Sequence, residues 1–176
     1  MPMPTFTALE RVGTGPRIFA IDPGPELSAS CTLADGLPSF PCKIPNAELL
    51  NHMRRRFEED QPLPPLAIEM IASYGMAVGK EVFETCLWIG RFIEAWESHG
   101  GAVRLVYRRD VKLFLCQSVR ATDSNVRAAL MDRFGGKAKA IGTKAAKGPL
   151  YSLKKDMWSA LAVALTAEEQ IRVGTL

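Results

Sequence analysis

Apolar and polar positions along the chain change period several times, and each change marks an element. Arg17 to Ile21 is a β-branched and aromatic run that stops at Asp22-Pro23-Gly24-Pro25, so a strand is expected there, closed by a turn. Ser28 to Leu33 and Leu37 to Lys43 follow as strands, and the Asp35-Gly36 between them is a hairpin signal. Leu49, Leu50, Met53 and Phe57 recur at helical spacing, which predicts a helix from an Asn46 N-cap to about Glu59, ended by Gln61-Pro62-Leu63-Pro64-Pro65. Leu66 to Glu69 is a further short strand. Residues 78–98 carry Val82, Phe83, Cys86, Leu87, Ile89, Ile93 and Trp96 in helical register before His99-Gly100-Gly101. A strand over 102–107, a short helix over 110–116, a helix N-capped by Asp123 and running to Phe134, and a last helix over 157–171 complete the series. The last helix is apolar on more than one side, as expected of one packed on a sheet. The order β-β-β-α-β-α-β-α-α-α specifies an α/β chain with a mixed sheet.

Two stretches lack periodicity. Residues 1–16 hold three prolines and two glycines and read as a poorly ordered N-terminal extension, leaving 17–176 as one domain. Residues 137–155 are rich in Lys, Ala and Gly and read as a mobile basic loop.

Composition adds an ordinary core and surface: 47% of the 176 residues are hydrophobic and 23% charged. No run approaches the roughly 20 apolar residues that span a bilayer, and the start lacks the plan of a signal peptide, so no membrane and a cytoplasmic location are expected. Cys31, Cys42, Cys86 and Cys116 form no C-x-x-C pair and read as free thiols. The net charge of +3 conceals a strong segregation. From Arg104 to Lys155 there are 13 Lys or Arg against three acids, a local balance of +10, while the rest of the chain carries −7. Charge concentrated on this scale suits a polyanion-binding face.

The candidate chemistry lies in three carboxylates from separate segments. Asp22 closes the first strand, Glu69 closes the fourth, and Asp156 opens the last helix. A carboxylate at the inner end of a buried run carries a desolvation cost unless a cation or hydrogen bonds offset it. A hard divalent cation with oxygen ligands, Mg²⁺ or Mn²⁺, is the natural offset, and such ions serve phosphoryl chemistry.

With those residues in view the chain resembles the RuvC-type Holliday junction resolvases. The resemblance rests on Ile21-Asp22-Pro23-Gly24, Ile68-Glu69, Val111-Lys112-x-x-Leu115 with Asp123-Ser124-Asn125-Val126, and Asp156-x-x-Ser159-Ala160-Leu161-Ala162. It runs from about Arg17 to Ala167. It implies the RNase H-like fold, a five-stranded mixed sheet of three antiparallel strands and then two more, flanked by helices. It also implies a crossover junction endodeoxyribonuclease of DNA recombination and repair. Asp22, Glu69 and Asp156 would be catalytic and metal-binding, with two Mg²⁺ per site, or Mn²⁺ as substitute. Ser159, a further candidate ligand, occupies the place of the family's final aspartate, and a neutral hydroxyl there implies weaker metal affinity.

The resemblance further implies phosphate-contacting lysines, of which Lys112 fits one position. Ser124 stands where a second lysine is often found, so Lys154 or Lys155 is expected to supply that charge. DNA would be held by Lys112, Arg108 and Arg109 together with Lys137, Lys139, Lys144, Lys147, Lys154 and Lys155, through phosphates rather than base edges. A four-way junction needs two symmetric cuts, so a homodimer is expected, its contact on the 78–98 helix. There Phe83, Leu87, Trp88 and Phe92 cover more than one stripe and suit burial by the sheet on one face and by a partner on another. Tyr74 and Met76 are candidate probes of the junction centre. The residues leave open a nuclease acting on flaps or forks, and a junction-binding protein with weakened catalysis. An actin-like ATPase is disfavoured by the lack of paired Gly-rich phosphate loops.

Overall fold

The computed structural model describes residues 17–59, 62–73, 75 and 77–174. The N-terminal extension, Tyr74 and Met76 lie outside the described residues. β1 (Arg17–Asp22), β2 (Leu27–Ala34), β3 (Leu37–Pro45), β4 (Leu66–Met70) and β5 (Val103–Tyr107) form a single sheet in the order β3-β2-β1-β4-β5. β1, β2 and β3 are antiparallel neighbours. β4 is parallel to β1, and β5 to β4. Asp35 and Gly36 link β2 to β3 with positive φ at both positions, 51° and 73°, the two-residue hairpin geometry that Asp-Gly favours. Parallel neighbours need a crossover. α1 (Asn46–Glu59) carries the chain from β3 to β4, and α2 (Lys80–Glu97) from β4 to β5. After β5 come α3 (Arg108–Cys116), α4 (Asp123–Arg133), α5 (Lys137–Ala140) and α6 (Met157–Arg172).

The sheet separates two cores. On one face Phe19, Ile21, Leu66 and Ile68 pack with Leu49, Met53 and Phe57 of α1 and with Ile89, Phe92 and Trp96 of α2. On the other, Ile18, Ala20, Ala29, Cys31, Leu33, Ala67 and Val106 meet α6, which is buried without interruption from Ala160 to Ala167. Alanines at 160, 164 and 167 recur at helical spacing in line with Asp156, and their small side chains allow α6 to lie close against the sheet. The period-2 alternation of the strands decides which residues face α6. Ala20 and Ala67 do, and therefore so do the next residues on that face, Asp22 and Glu69.

Three expectations change. Residues 137–155 are a folded segment: Ala140, Leu150 and Leu153 are buried in the α6-side core. Gly148 N and Leu150 N donate to the carbonyls of Ile141 and Ala140 at 2.8 Å. A Cβ on Gly148 would sit 2.1 Å from the Lys139 carbonyl oxygen, so the segment closes on itself through glycine. Turns and one short helix have no single period, which is why the stretch reads as a loop in sequence. The N-cap of α4 is Thr122, not Asp123, and forms a reciprocal capping box with Asn125. Asn46 opens α1, but its fully buried amide is directed at the loop after β1, as described next.

Candidate active site

The site is assembled by strand register. Asp22 pairs with Ala29, and Ala29 pairs with Lys43, so Lys43, Ala29 and Asp22 form one row on the α6 face. One step past the Ile21–Ile68 pairing, Glu69 continues that row beside Asp22, and Glu69 pairs with Val106. Neighbouring strands lie about 4.8 Å apart. Two carboxylates are thus held side by side at the ends of parallel strands, where ligands bind in α/β sheets. A cleft of about 230 Å³ opens over them, lined by Asp22, Pro23, Glu69, Met70, Ile71, Ala72 and Arg108.

The loop that follows Asp22 is locked from behind. Ser28 Oγ donates to Asn46 Oδ1 at 2.6 Å, Asn46 Nδ2 donates to the Gly24 carbonyl at 2.9 Å, and Gly24 N donates to Ser28 Oγ at 3.3 Å. Ser28 and Asn46 are fully buried, so the network is a closed set of satisfied groups that fixes the exit of β1. A Cβ on Gly24 would stand 2.5 Å from the Leu27 carbonyl oxygen, so the tight return needs glycine.

Asp156 joins from above, at the residue that precedes α6. Its side chain makes no capping bond. It is ion-paired instead with Lys43 Nζ of β3, half of its own surface remaining open to solvent. Lys155, just before it, has φ 45°, a left-handed conformation a lysine adopts at a cost of about 1 kcal/mol. On the opposite flank, Arg108 at the start of α3 lies 3.9 Å from Glu69 and is ion-paired with Asp123 at the start of α4. Ser159 is half-buried one turn beyond Asp156.

Burial is the main force on the two carboxylates. Asp22 is pushed up from 3.8 to about 8, first by desolvation, then by the charges of Glu69 and Asp156, with Arg108 and Lys43 pulling the other way. Glu69 is also raised, again chiefly by desolvation. Arg108 and Lys112 oppose the shift, Asp123 adds to it, and a hydrogen bond from Asp22 favours its ionised form. Burial therefore favours a proton on the pair near neutral pH over two bare charges. A group of this kind is short of positive charge. Oxygen-only donors in a partly desolvated cleft fit a hard divalent cation, and Asp22 and Glu69 are the residues placed to hold it. Among the described residues no three His, Cys, Asp or Glu side chains are gathered into a ready-made cage, because Asp156 is drawn to Lys43 and Glu69 faces Arg108.

The structure sets Asp22 beside Glu69 and leaves Asp156 near enough to act on Asp22 but paired with Lys43, and it adds two residues that sequence reading did not place here, Lys43 and Asp123. Arg108 and Lys112, expected on the DNA, both act electrostatically on Glu69, and Arg108 lines the cleft itself. Arg109 is exposed beside them. Lys137, Lys139, Lys144, Lys147, Lys154 and Lys155 are all exposed on the folded 137–155 segment, away from its buried leucines, with Lys147 Nζ 5.2 Å from the Tyr151 ring centre. All four cysteines are free thiols, as expected. Burial pushes the Cys31 thiol up to about 12, which makes it inert.

No protein-family model matches the sequence, and no curated protein matches it by sequence. Solved structures do match. RuvC of Thermus thermophilus superposes with a TM-score of 0.66 over 90% of this chain and 97% of that one, at 20% identity. The chain has the RuvC fold. RuvC of the same organism in complex with Holliday junction substrate matches equally well, with a TM-score of 0.64, 91% and 97% coverage, and 19% identity. The RuvC fold is RNase H-like, and the five-stranded mixed sheet flanked by helices agrees with it throughout. No described helix is long and apolar enough to cross a membrane.

Proposed function

We propose that the chain is a divalent-metal-dependent endonuclease that resolves Holliday junctions by paired phosphodiester hydrolysis in DNA recombination and repair. One observation carries the reading: Asp22 and Glu69 are held side by side and partly desolvated at the strand ends of a RuvC fold, with Asp156 close enough to act on Asp22. RuvC of Thermus thermophilus has been solved with Holliday junction substrate, which supports carrying that substrate class to this chain.

A bound Mg²⁺, with Mn²⁺ as substitute, would neutralise charge at the scissile phosphate and activate the attacking water. The protein's part is to hold that chemistry in place. Asp22 and Glu69 supply anionic oxygens whose orientation is fixed by β1, β4 and the Ser28–Asn46–Gly24 network, so little reorganisation is needed when phosphate arrives. Arg108 and Lys112 place positive charge on the α3 side of the cleft, where a phosphate can be met. Arg109 and the exposed lysines of the 137–155 segment extend the basic surface along a DNA arm. Such contacts carry no sequence information, so discrimination falls to junction shape.

A second copy would supply the second cut. On α2, Phe83 and Leu87 are 62% and 70% exposed one turn apart, while Trp88 is half-buried and Phe92 fully buried. The apolar face left outside by the fold is therefore Phe83 and Leu87, and it suits a C2 contact.

The test is cleavage of a labelled synthetic four-way junction in Mg²⁺ and in Mn²⁺, beside a flap, a fork and linear duplex, with Asp22→Asn as control. Paired symmetric cuts on the junction are expected, reduced on the order of 10²–10³-fold in Asp22→Asn, the loss typical of one preorganised electrostatic partner. Cleavage mainly of flaps or forks would replace the resolvase reading with a general branched-DNA nuclease. Tight junction binding without cuts would replace it with a binding protein.

A further inference from the structure

We propose that the site takes one divalent cation, held by Asp22 and Glu69, and that Lys43 supplies the positive charge a second ion would bring. The proposal rests on the nuclease reading and deepens it, and it departs from the two ions per site that the family resemblance implies.

Three observations carry it. The first is position. Lys43 lies in the same cross-strand row as Asp22, with only Ala29 between them, and the methyl of Ala29 leaves the space over β2 through which the lysine reaches Asp156. The second is commitment. Asp156 is the third carboxylate of the site, and its side chain is ion-paired with Lys43 rather than turned into the Asp22–Glu69 pair. Ser159, one turn further along the same helix, adds no carboxylate on that side, so an ion there would depend on Asp156, which Lys43 occupies.

The third is charge. Asp22, Glu69 and Asp156 carry three negative charges when ionised, and Lys43 and Arg108 return two positive ones, both close enough to act on Asp22. One divalent cation brings this set to +1, which a single phosphodiester neutralises. Two divalent cations would leave it at +3, with like charges packed into one partly desolvated cleft. A lysine is also a fixed charge, present without being captured from solution, and its compact ammonium is a point charge comparable in reach to an ion. Lys43 sits on an edge strand, where a lysine ordinarily serves only to discourage edge pairing. Here its ammonium is turned onto the sheet face and engaged with the opening of α6.

Mn²⁺ stoichiometry tests this directly on the full chain, by isothermal titration together with electron paramagnetic resonance of free Mn²⁺, without reference to cleavage. The wild type is expected to bind one Mn²⁺ per protomer. Asp156→Asn should keep that one ion with affinity changed by less than about tenfold, since Asp156 is engaged by Lys43 and not by the metal. Lys43→Met should gain a second ion, and Lys43→Met with Asp156→Asn should return to one. Two ions on the wild type, loss of the single ion in Asp156→Asn, or a Lys43→Met protein that melts as wild type yet still binds one ion would each overturn the proposal. The wild-type and Asp156→Asn results decide it even if Lys43→Met fails to fold. Absence of any Mn²⁺ on the wild type would overturn the nuclease reading itself, which is distinct from a count of two.

Discussion

The two faces of the sheet are built from different residues for different ends. On the α1–α2 face the packing is large and aromatic. Trp96 is fully buried, stacks on Phe19 with ring centres 5.5 Å apart, meets Phe57 edge-on at 5.7 Å, and donates its indole N–H to the Pro64 carbonyl at 3.0 Å. On the α6 face alanine is far commoner: Ala20, Ala29 and Ala67 of the sheet share the core with Ala160, Ala164 and Ala167 of the helix, where the other face has only Ala95. Small residues bring the opening of α6 down onto the sheet, where Asp156 can act on Asp22. The first face therefore holds the fold together by bulk, and the second gives up bulk for the close approach that assembles charged groups. Sites placed in this way are stabilised from elsewhere in the molecule.

Breaking the aromatic face should have the largest effect on stability. Trp96→Ala is expected to cost about 3–5 kcal/mol in urea unfolding, the range for a large buried aromatic, while cleavage per folded molecule at low temperature stays as in wild type. A matching loss of cleavage per folded molecule would show that the faces are not separable.

The charged face should show the opposite sign. Asp22 has its folded value raised from 3.8 to about 8, so the folded state holds a proton that the unfolded state releases between those limits. Its favourable contribution is complete below about pH 4 and is lost as pH rises through about 8. Metal-free protein should lose a few kcal/mol of stability over that window, and Asp22→Asn should flatten the loss. Thermal melts in chelator from pH 5 to 9 measure it. A wild-type profile as flat as the variant's would show that the cleft is not starved of positive charge.

Smaller effects sharpen the contrast. Asn46→Ala removes the buried amide that ties the loop after Asp22 to Ser28 and Gly24, and should cost about 1–3 kcal/mol and lower cleavage as well, unlike Trp96→Ala. Lys144→Ala and Lys147→Ala, on the exposed basic segment, should leave stability unchanged and lower the salt dependence of junction binding by about 0.9 in slope for each phosphate no longer neutralised. Equal weakening on every DNA sequence is expected, and a sequence-dependent change would argue for base contacts.

Much of this was legible in the sequence because it follows from local pattern. Asp22 and Glu69 end apolar runs, and a carboxylate in that position is visible without a partner. Asp35-Gly36 announces its hairpin. The pairing of Lys43 with Asp156 spans 113 residues and depends on strand register and the small size of Ala29, neither of which composition reveals. Asp123 looks like a helix cap, and its ion pair with Arg108 exists only because α3 and α4 begin side by side. The 137–155 segment misleads for a different reason. Its order comes from three buried side chains and glycine-mediated backbone contacts, not from any period.

The most direct test of a carboxylate pair poised for a divalent cation is the proton it releases when the cation binds. Mn²⁺ titration at pH 7 in two buffers of different ionisation enthalpy gives that number. With Asp22 raised to about 8, release of about one proton per ion bound is predicted, and less from Asp22→Asn. Mn²⁺ binding with no proton released from the wild type would contradict the account.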